Sequence, residues 1–315
     1  MQWFAQAPSN IALIKYMGKL DAEKNIPMNA SLSYTLSNLV SSVMLEQHSG
    51  KKDYWEPLNT PGSLAFTLSE KAQERYLRHL ARIKTLVNYQ GAFIVRSCNN
   101  FPHSSGLASS ASSFAALTKC AILALSEIHH QELPSVEFQA QLSRIGSGSS
   151  CRSFFSPWAL WQGETVKAIE LPYPQLLHQV IVISREEKAV ASMDAHQLVQ
   201  TSPHFVGRAK RAEQNLKILL QAFEARDWQS AKHVCWQEFQ DLHQLFSSCK
   251  TPFSYFTEQS QAVLDTLQQE WQKNKDGPII TMDAGPNIHL LYRPDQAEMA
   301  RQFKQDVLIG NYDVL

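Results

Sequence analysis

One segment constrains this chain more than any other. In Ser110–Ile128 the residues Phe114, Leu117, Ala121, Ala124, Leu125 and Ile128 recur at helical spacing and make a broad apolar stripe. The stripe is entered through Pro102-His-Ser-Ser-Gly-Leu-Ala-Ser-Ser110, a turn rich in serine that holds a single glycine and no lysine. Gly106 permits backbone conformations that other residues resist. Ser109 and Ser110 sit where the helix should begin, and a helix start offers unpaired N–H groups and a positive dipole end to an anion. Serine hydroxyls there can also meet phosphate oxygens or a phosphate-bound Mg²⁺. No GxxxxGK[ST] loop is present, so a Walker site is excluded. Taken alone, a serine N-cap on a buried helix is the commoner reading of the same residues.

Around this helix the pattern mixes strands and helices without a βαβ rhythm. Residues 37–46 and 92–96 have strand character, and Glu70–Val87 reads as a helix between them. Short strands return from about residue 158 and end in Val180-Ile-Val-Ile183. Helices are expected over Phe205–Phe223, Ser230–Phe246 and Phe256–Trp271, then a strand–turn–strand over 278–292 with its corner at Gly285-Pro286, and a last helix near 295–306. An α+β fold follows, with the boundary expected near 185, giving halves 1–185 and 186–315.

Lysine plus arginine equals aspartate plus glutamate at 29 each, so no global field draws the chain to nucleic acid or membrane. An anionic ligand would need a local cluster of cations. Five cysteines without a CxxC or zinc spacing read as reduced thiols in a cytosolic protein. The first residues lack a signal-peptide pattern, and the apolar runs look too short for a membrane span. The eleven histidines form no metal motif.

Three further stretches can carry chemistry. In Arg144-Ile-Gly-Ser-Gly-Ser-Ser-Cys-Arg-Ser153, small residues let the backbone approach a ligand, and two arginines bracket them with planar forks for phosphate or carboxylate. A flexible surface loop is the plain alternative. Asp283 ends an apolar strand and is either a turn cap or a partly desolvated carboxylate able to position a proton. Lys15 and Lys19, in Ala7-Pro-Ser-Asn-Ile-Ala-Leu-Ile-Lys-Tyr-Met-Gly-Lys19, are interior-edge cations if that segment packs and solvated lysines if it does not.

Together these stretches resemble the kinase superfamily that binds galactose, homoserine, mevalonate or phosphomevalonate (the GHMP kinases), and within it the diphosphomevalonate decarboxylase family. Ala7–Lys19 is similar to the family's APxNIAxIKYWGK. Asn99-Asn-Phe-Pro-His-Ser-Ser-Gly-Leu-Ala-Ser-Ser-Ala111 is similar to NNFPTAAGLASSA, Arg144–Ser153 to RxGSGSACRS, and Met282-Asp-Ala-Gly-Pro-Asn287 to FDAGPN. The resemblance covers nearly the whole chain in the right order. It implies a GHMP kinase fold, with an N-terminal half like the second domain of ribosomal protein S5, a ferredoxin-like C-terminal half, and the site in the cleft between them.

It also implies roles. Asp283, Lys15 and Arg152 would be catalytic, with Arg152 on the substrate carboxylate. Tyr16, Lys19, Arg144, Ser147, Gly148, Ser149 and Ser192 would bind the rest of a 3-hydroxy acid diphosphate. Asn100, Pro102, Ser105, Gly106, Leu107, Ala108, Ser109 and Ser110 would hold ATP, with Ser110 also meeting Mg²⁺. The implied reaction is ATP-dependent decarboxylation of mevalonate 5-diphosphate by a cytoplasmic enzyme, a homodimer by analogy. Four positions depart from the pattern: Met17 replaces a tryptophan, Leu20 an arginine, His103-Ser-Ser105 a Thr-Ala-Ala, and Ser192 is the one hydroxyl in Lys188–Ser192. The sequence therefore leaves open a monophosphate decarboxylase, a kinase that stops at the 3-phosphate, or a non-catalytic nucleotide-binding scaffold.

Overall fold

The computed structural model describes residues 1–64, 67–102, 109–186, 189–310 and 312–315. Its first sheet is organised by two long antiparallel strands, β1 (Gln2–Ile14) and, beyond the small hairpin of β2 (Lys19–Asp21) and β3 (Ile26–Pro27), β4 (Ser31–His48). β1 runs along one edge of β4 for most of its length, with a register shift between Pro8 and Ser9. The other edge of β4 is shared. Its second half pairs with β6 (Ala92–Asn99), which carries β5 (Tyr54–Pro57), and its first half pairs with β7 (Trp158–Gln162), which carries β8 (Thr165–Ile169). Between β5 and β6 lies α1 (Glu70–Thr85). Between β6 and β7 come α2 (Ser109–Ile128), α3 (Val136–Gly146) and a 3₁₀ helix, Gly148–Phe154.

α2 lies where its apolar stripe requires, with Phe114, Leu117, Ala121 and Leu125 packed against Val43, Leu45 and Val95 of the sheet and against α1. It is long and apolar enough to span a bilayer, a point the sequence reading missed, but most of it is buried inside the protein. Burial by partners within the fold is what a core helix needs.

The second sheet is antiparallel, in the order β10 (Ile279–Thr281), β11 (Ile288–Tyr292), β9 (Leu177–Val182), β12 (Asp313–Val314). α4 (Ser192–Leu198), α5 (Arg208–Glu224), α6 (Trp228–Ser248) and α7 (Glu258–Asn274) come between β9 and β10, and α8 (Ala297–Phe303) follows β11. β9 already belongs to this sheet, so residues 177–182 sit with the C-terminal half although they precede the expected boundary at 185. One core is common to both halves: Ile11, Leu13 and Ile14 of β1 pack with Val180 of β9, Leu291 of β11 and Leu216, Leu219 and Phe223 of α5. Thr281 Oγ1 donates to the Ala12 carbonyl at 3.5 Å. The ends of β1 and β10 therefore emerge side by side, and the residues that follow them, Lys15 and Asp283, face each other.

Candidate active site

Lys15 leaves the end of β1 as a 2% exposed residue, and its ammonium meets Asp283 Oδ1 at 2.7 Å. The Asp283 side chain keeps 24% of its surface open. Burial by itself would raise the Asp283 carboxyl, but the Lys15 charge and hydrogen bond, then His289 and Arg152, outweigh it and hold the group below the usual carboxylate range. Asp283 is thus an ionised carboxylate at neutral pH. Burial pulls Lys15 down from the ordinary lysine value, opposed by Asp283 and then Glu238.

Arg152 comes from the 3₁₀ helix and is fixed from two strands. Its Nε donates to Asn10 Oδ1 at 3.0 Å and its Nη1 to Ser31 Oγ at 2.8 Å. Asn10 in turn donates to Ser153 Oγ at 2.8 Å. The guanidinium lies over Trp161, whose ring also packs on Tyr16 at 4.7 Å. The turn that follows Tyr16 needs its glycine: Gly18 has φ +89°, and a Cβ there would lie 2.7 Å from Met28 Sδ. Gly148 has a different reason. A Cβ at Gly148 would stand 2.7 Å from the Tyr16 hydroxyl, so the second glycine of the RIGSGSS run lets that hydroxyl meet the backbone.

The two serine loops meet as well. Ser147 caps the C-terminus of α3, and its hydroxyl donates to Ser110 Oγ at 3.5 Å, across to the N-terminus of α2. Ser109 is buried and Ser110 exposed at that helix start. Ser149 lies in the 3₁₀ helix, and its carbonyl accepts from Asn10. Ser192 opens α4 on the surface. Ser105, Gly106, Leu107 and Ala108, with His103 and Ser104, lie outside the described residues, as does Lys188.

Several expected binders have other partners. Arg144 donates to the backbone carbonyls of Lys24 (3.1 Å) and Glu164 (2.8 Å), which makes it a brace for two turns rather than a cleft cation. Asn100 ties the end of β6 to β4: it accepts from the Val40 N–H at 2.7 Å and donates to the Asn38 carbonyl at 2.9 Å. Pro102 follows it, just before the undescribed residues. Leu20 is 72% exposed, so its lack of charge is a surface feature. Met17 fills an apolar pocket with Ala195, Val199, Leu242 and Phe246, a packing role that methionine performs without the tryptophan ring.

Two residues of the site were missing from the sequence reading. Arg75 of α1 donates to the Gly146 carbonyl at 2.8 Å, rests on Phe114, and lies close enough to Lys19 and Tyr16 to act on them electrostatically. In the sequence it is one of several charged residues on an amphipathic helix, and nothing in spacing separates it from Arg78 or Arg82. His196 of α4 accepts the Gly18 N–H at 3.0 Å through Nδ1 and lies against the Tyr16 ring at 4.4 Å. A groove of about 770 Å³ along α5 and α6 is lined by Asn215, Trp236, Asp241, His243 and Phe256, and by none of the expected site residues. The chemistry lies instead where Lys15 and Arg152 face one ionised aspartate, with Arg75 acting on both Tyr16 and Lys19 beside it.

Such a gathering, in the cleft of a two-sheet α+β chain, defines an enzyme of the GHMP kinase fold. Residues 7–168 match the family model of the diphosphomevalonate decarboxylase-like N-terminal domain, and residues 179–310 that of the mevalonate 5-diphosphate decarboxylase C-terminal domain. The diphosphomevalonate decarboxylase of Ganoderma lucidum is 31% identical, over 93% of this chain and 78% of that protein. A crystal structure of a mevalonate diphosphate decarboxylase from Legionella pneumophila is 62% identical and superposes over all of both chains with a TM-score of 0.95. Another similar structure, of a protein in complex with MVAPP, AMPPCP and magnesium, is 26% identical with a TM-score of 0.88, over 100% of this chain and 96% of that one. The chain belongs to the diphosphomevalonate decarboxylase family.

Proposed function

We propose that this enzyme converts mevalonate 5-diphosphate and ATP to isopentenyl diphosphate, CO₂, ADP and phosphate, with Asp283, Lys15 and Arg152 as its catalytic groups. The observation that carries the residue assignment is the 2.7 Å contact between Lys15 and an aspartate that stays ionised and partly open to the cleft. A tertiary hydroxyl is a poor leaving group and has to be activated. Its oxygen attacks the terminal phosphorus of ATP, ADP departs, and Asp283 orients the hydroxyl and takes its proton as the new bond forms. The C3–O bond of the 3-phosphate then breaks with its electron pair on phosphate. Asp283 passes the proton on to solvent through its open face, and as positive charge grows at C3 the restored carboxylate stabilises it. The electrons of the C1–C2 bond become the C2–C3 double bond, and C1 leaves as CO₂.

Arg152 has Nε and Nη1 fixed by Asn10 and Ser31, so its fork is rigid where it would hold the substrate carboxylate. Lys19, Arg75 and the Tyr16 hydroxyl, with Ser147, Gly148, Ser149 and Ser192, form the diphosphate side. The α2 start, with Ser109 and Ser110, fits the ATP phosphates, because a helix N-terminus favours an anion and this one adjoins the Ser147 hydroxyl. Mg²⁺ bound to those phosphates would neutralise charge on the transferred group, with Ser110 as its protein contact. The reading also carries a cytosolic location, which fits five buried free thiols, and a homodimer, which sedimentation would test.

The test is ATP-dependent release of label from C1-labelled mevalonate 5-diphosphate, beside the 5-monophosphate. CO₂ from the diphosphate supports the reading. CO₂ from the monophosphate alone would replace the substrate, and ADP without CO₂ would leave a kinase. Two cations near Tyr16, Arg75 and Arg152, with Lys19 next to Arg75, and a Leu20 that faces solvent, favour the diphosphate. A second expectation concerns Arg75. Arg75→Met should raise KM for the diphosphate roughly tenfold to a hundredfold, the loss of one charge-assisted hydrogen bond of about 1.5–3 kcal/mol, with kcat changed far less. Initial rates against substrate concentration decide it, and an unchanged KM would remove Arg75 from the site.

A further inference from the structure

Lys15 lies one residue beyond the β1–β4 ladder, whose last pair is Ile14 with Leu32, yet it is buried, so its backbone N–H and C=O need partners the sheet no longer supplies. The neutral Asn29 donates to the Lys15 carbonyl through Nδ2 at 2.9 Å, and the other partners are charged side chains from the other half of the chain. Glu238 of α6 accepts the Lys15 N–H through Oε1 at 2.9 Å, and Arg208 of α5 donates to the Lys15 carbonyl through Nη2 at 3.0 Å. Arg208 and Glu238 are themselves a fully buried ion pair, and Asn215 donates to Glu238 Oε2 at 2.7 Å. Five residues further along α6, His243 donates from Nε2 to the Asp283 carbonyl at 3.2 Å, an acceptor that fixes the proton on that nitrogen. A single helix therefore grips the backbone of both members of the Lys15–Asp283 pair.

We propose that α6 is the positioning element of the reaction centre: Glu238, backed by Arg208, sets the Lys15 backbone, and His243 sets that of Asp283, so that ammonium and carboxylate keep their contact through turnover. This deepens the functional reading above and rests on it. A buried ion pair is a costly way to satisfy one peptide unit unless its rigidity has a use. Here the use is register between groups from opposite ends of the chain. Misplacement by an ångström at a reacting centre costs up to about a hundredfold in rate.

The groups facing Lys15 are Asp283, Arg152, Arg208 and, from α6, Glu238, Cys235 and His243. Burial keeps Cys235 a neutral thiol and His243 a neutral imidazole, so Lys15 is the group of this cluster that loses a proton on the alkaline side. Glu238 helps Lys15 keep its proton. In Glu238→Gln the amide oxygen can still accept the Lys15 N–H but the charge is gone.

Steady-state kinetics of Glu238→Gln, Arg208→Lys, His243→Phe and His243→Gln would test the proposal. The expected result for Glu238→Gln is a kcat lower by about tenfold to a hundredfold, with both KM values within about threefold. Its alkaline limb should move to lower pH. His243→Gln, which can donate, should retain more activity than His243→Phe. Wild-type kcat and an unshifted pH profile in a folded Glu238→Gln protein would overturn the proposal. If that variant does not fold, wild-type rates in Arg208→Lys together with His243→Phe would do so. An inactive wild type would remove the functional reading and with it the catalytic part of this proposal, leaving only the structural contact to be tested. Crystal structures of the variants then decide: a Lys15–Asp283 separation beyond about 3.5 Å supports positioning, and an unchanged 2.7 Å refutes it.

Discussion

Asp283→Asn is expected to slow CO₂ release from mevalonate 5-diphosphate by about a thousandfold or more, roughly 4 kcal/mol in the barrier. Three losses coincide. The amide cannot take the proton of the 3-hydroxyl. It carries no charge to oppose the cation growing at C3. It also leaves the Lys15 ammonium, 2% exposed, without the carboxylate that favours its charged form. KM should change little, because Lys19, Arg75 and Arg152 still face the substrate's anionic groups. Asparagine is nearly isosteric, so circular dichroism should show an unchanged fold. Single-turnover assays with labelled ATP would locate the block. Activity above a tenth of wild type would reject Asp283 as the central carboxylate.

The second large effect is on stability in acid. His79, His196 and His243 are buried, and burial, the largest cause, pushes each down to about 3; neighbouring cations act in the same direction. Between pH 6.5 and 3 the unfolded chain binds protons on these imidazoles that the folded chain does not. The free energy of unfolding therefore rises with pH in that window and falls as pH drops through 6.5. Each histidine costs roughly 1.4 kcal/mol per pH unit below 6.5, so the three together approach about 6 kcal/mol at pH 5. That is comparable with the whole stability of an ordinary domain, about 5–15 kcal/mol. Thermal unfolding followed by circular dichroism should show the midpoint at pH 5.5 well below that at pH 7.5. His79→Leu, which removes the imidazole bonded to Thr118 on α2, should flatten the dependence by about a quarter, because His178 is also pushed well down by burial. A midpoint constant over this range would show that the imidazoles are protonated in the fold.

Much of the architecture was legible before any coordinates, and the failures share a cause. The apolar helices α1, α2, α5, α6 and α7 were readable because one face of each meets the core. β1 and the first half of β4 were not, although they are the longest strands. Ser9, Asn10, Ser31, Ser33 and Thr35 lie buried in them, so the alternation that marks a strand is interrupted by polar residues. Two of these, Asn10 and Ser31, are the groups that hold Arg152. Elsewhere Ser41 bonds to Asn99 and Ser112, joining β4 to β6 and α2. The strands were obscured where they carry side chains that serve the site.

The sequence by itself determined the local parts: a serine-rich helix start, a glycine beside each cleft loop, two lysines four residues apart, an aspartate at a corner, and the family to which these belong. Each depends on residue types a few positions apart, which backbone conformation and hydrogen-bonding chemistry fix locally. Only the tertiary structure decided which charges converge. Lys15 meets Asp283 across 268 positions and Glu238 across 223, Arg75 is drawn from a row of equivalent charges, and Arg144 is turned away to brace two loops. Those outcomes follow from the core common to β1, the second sheet and α5, because long-range contacts are set by which apolar faces must be covered together.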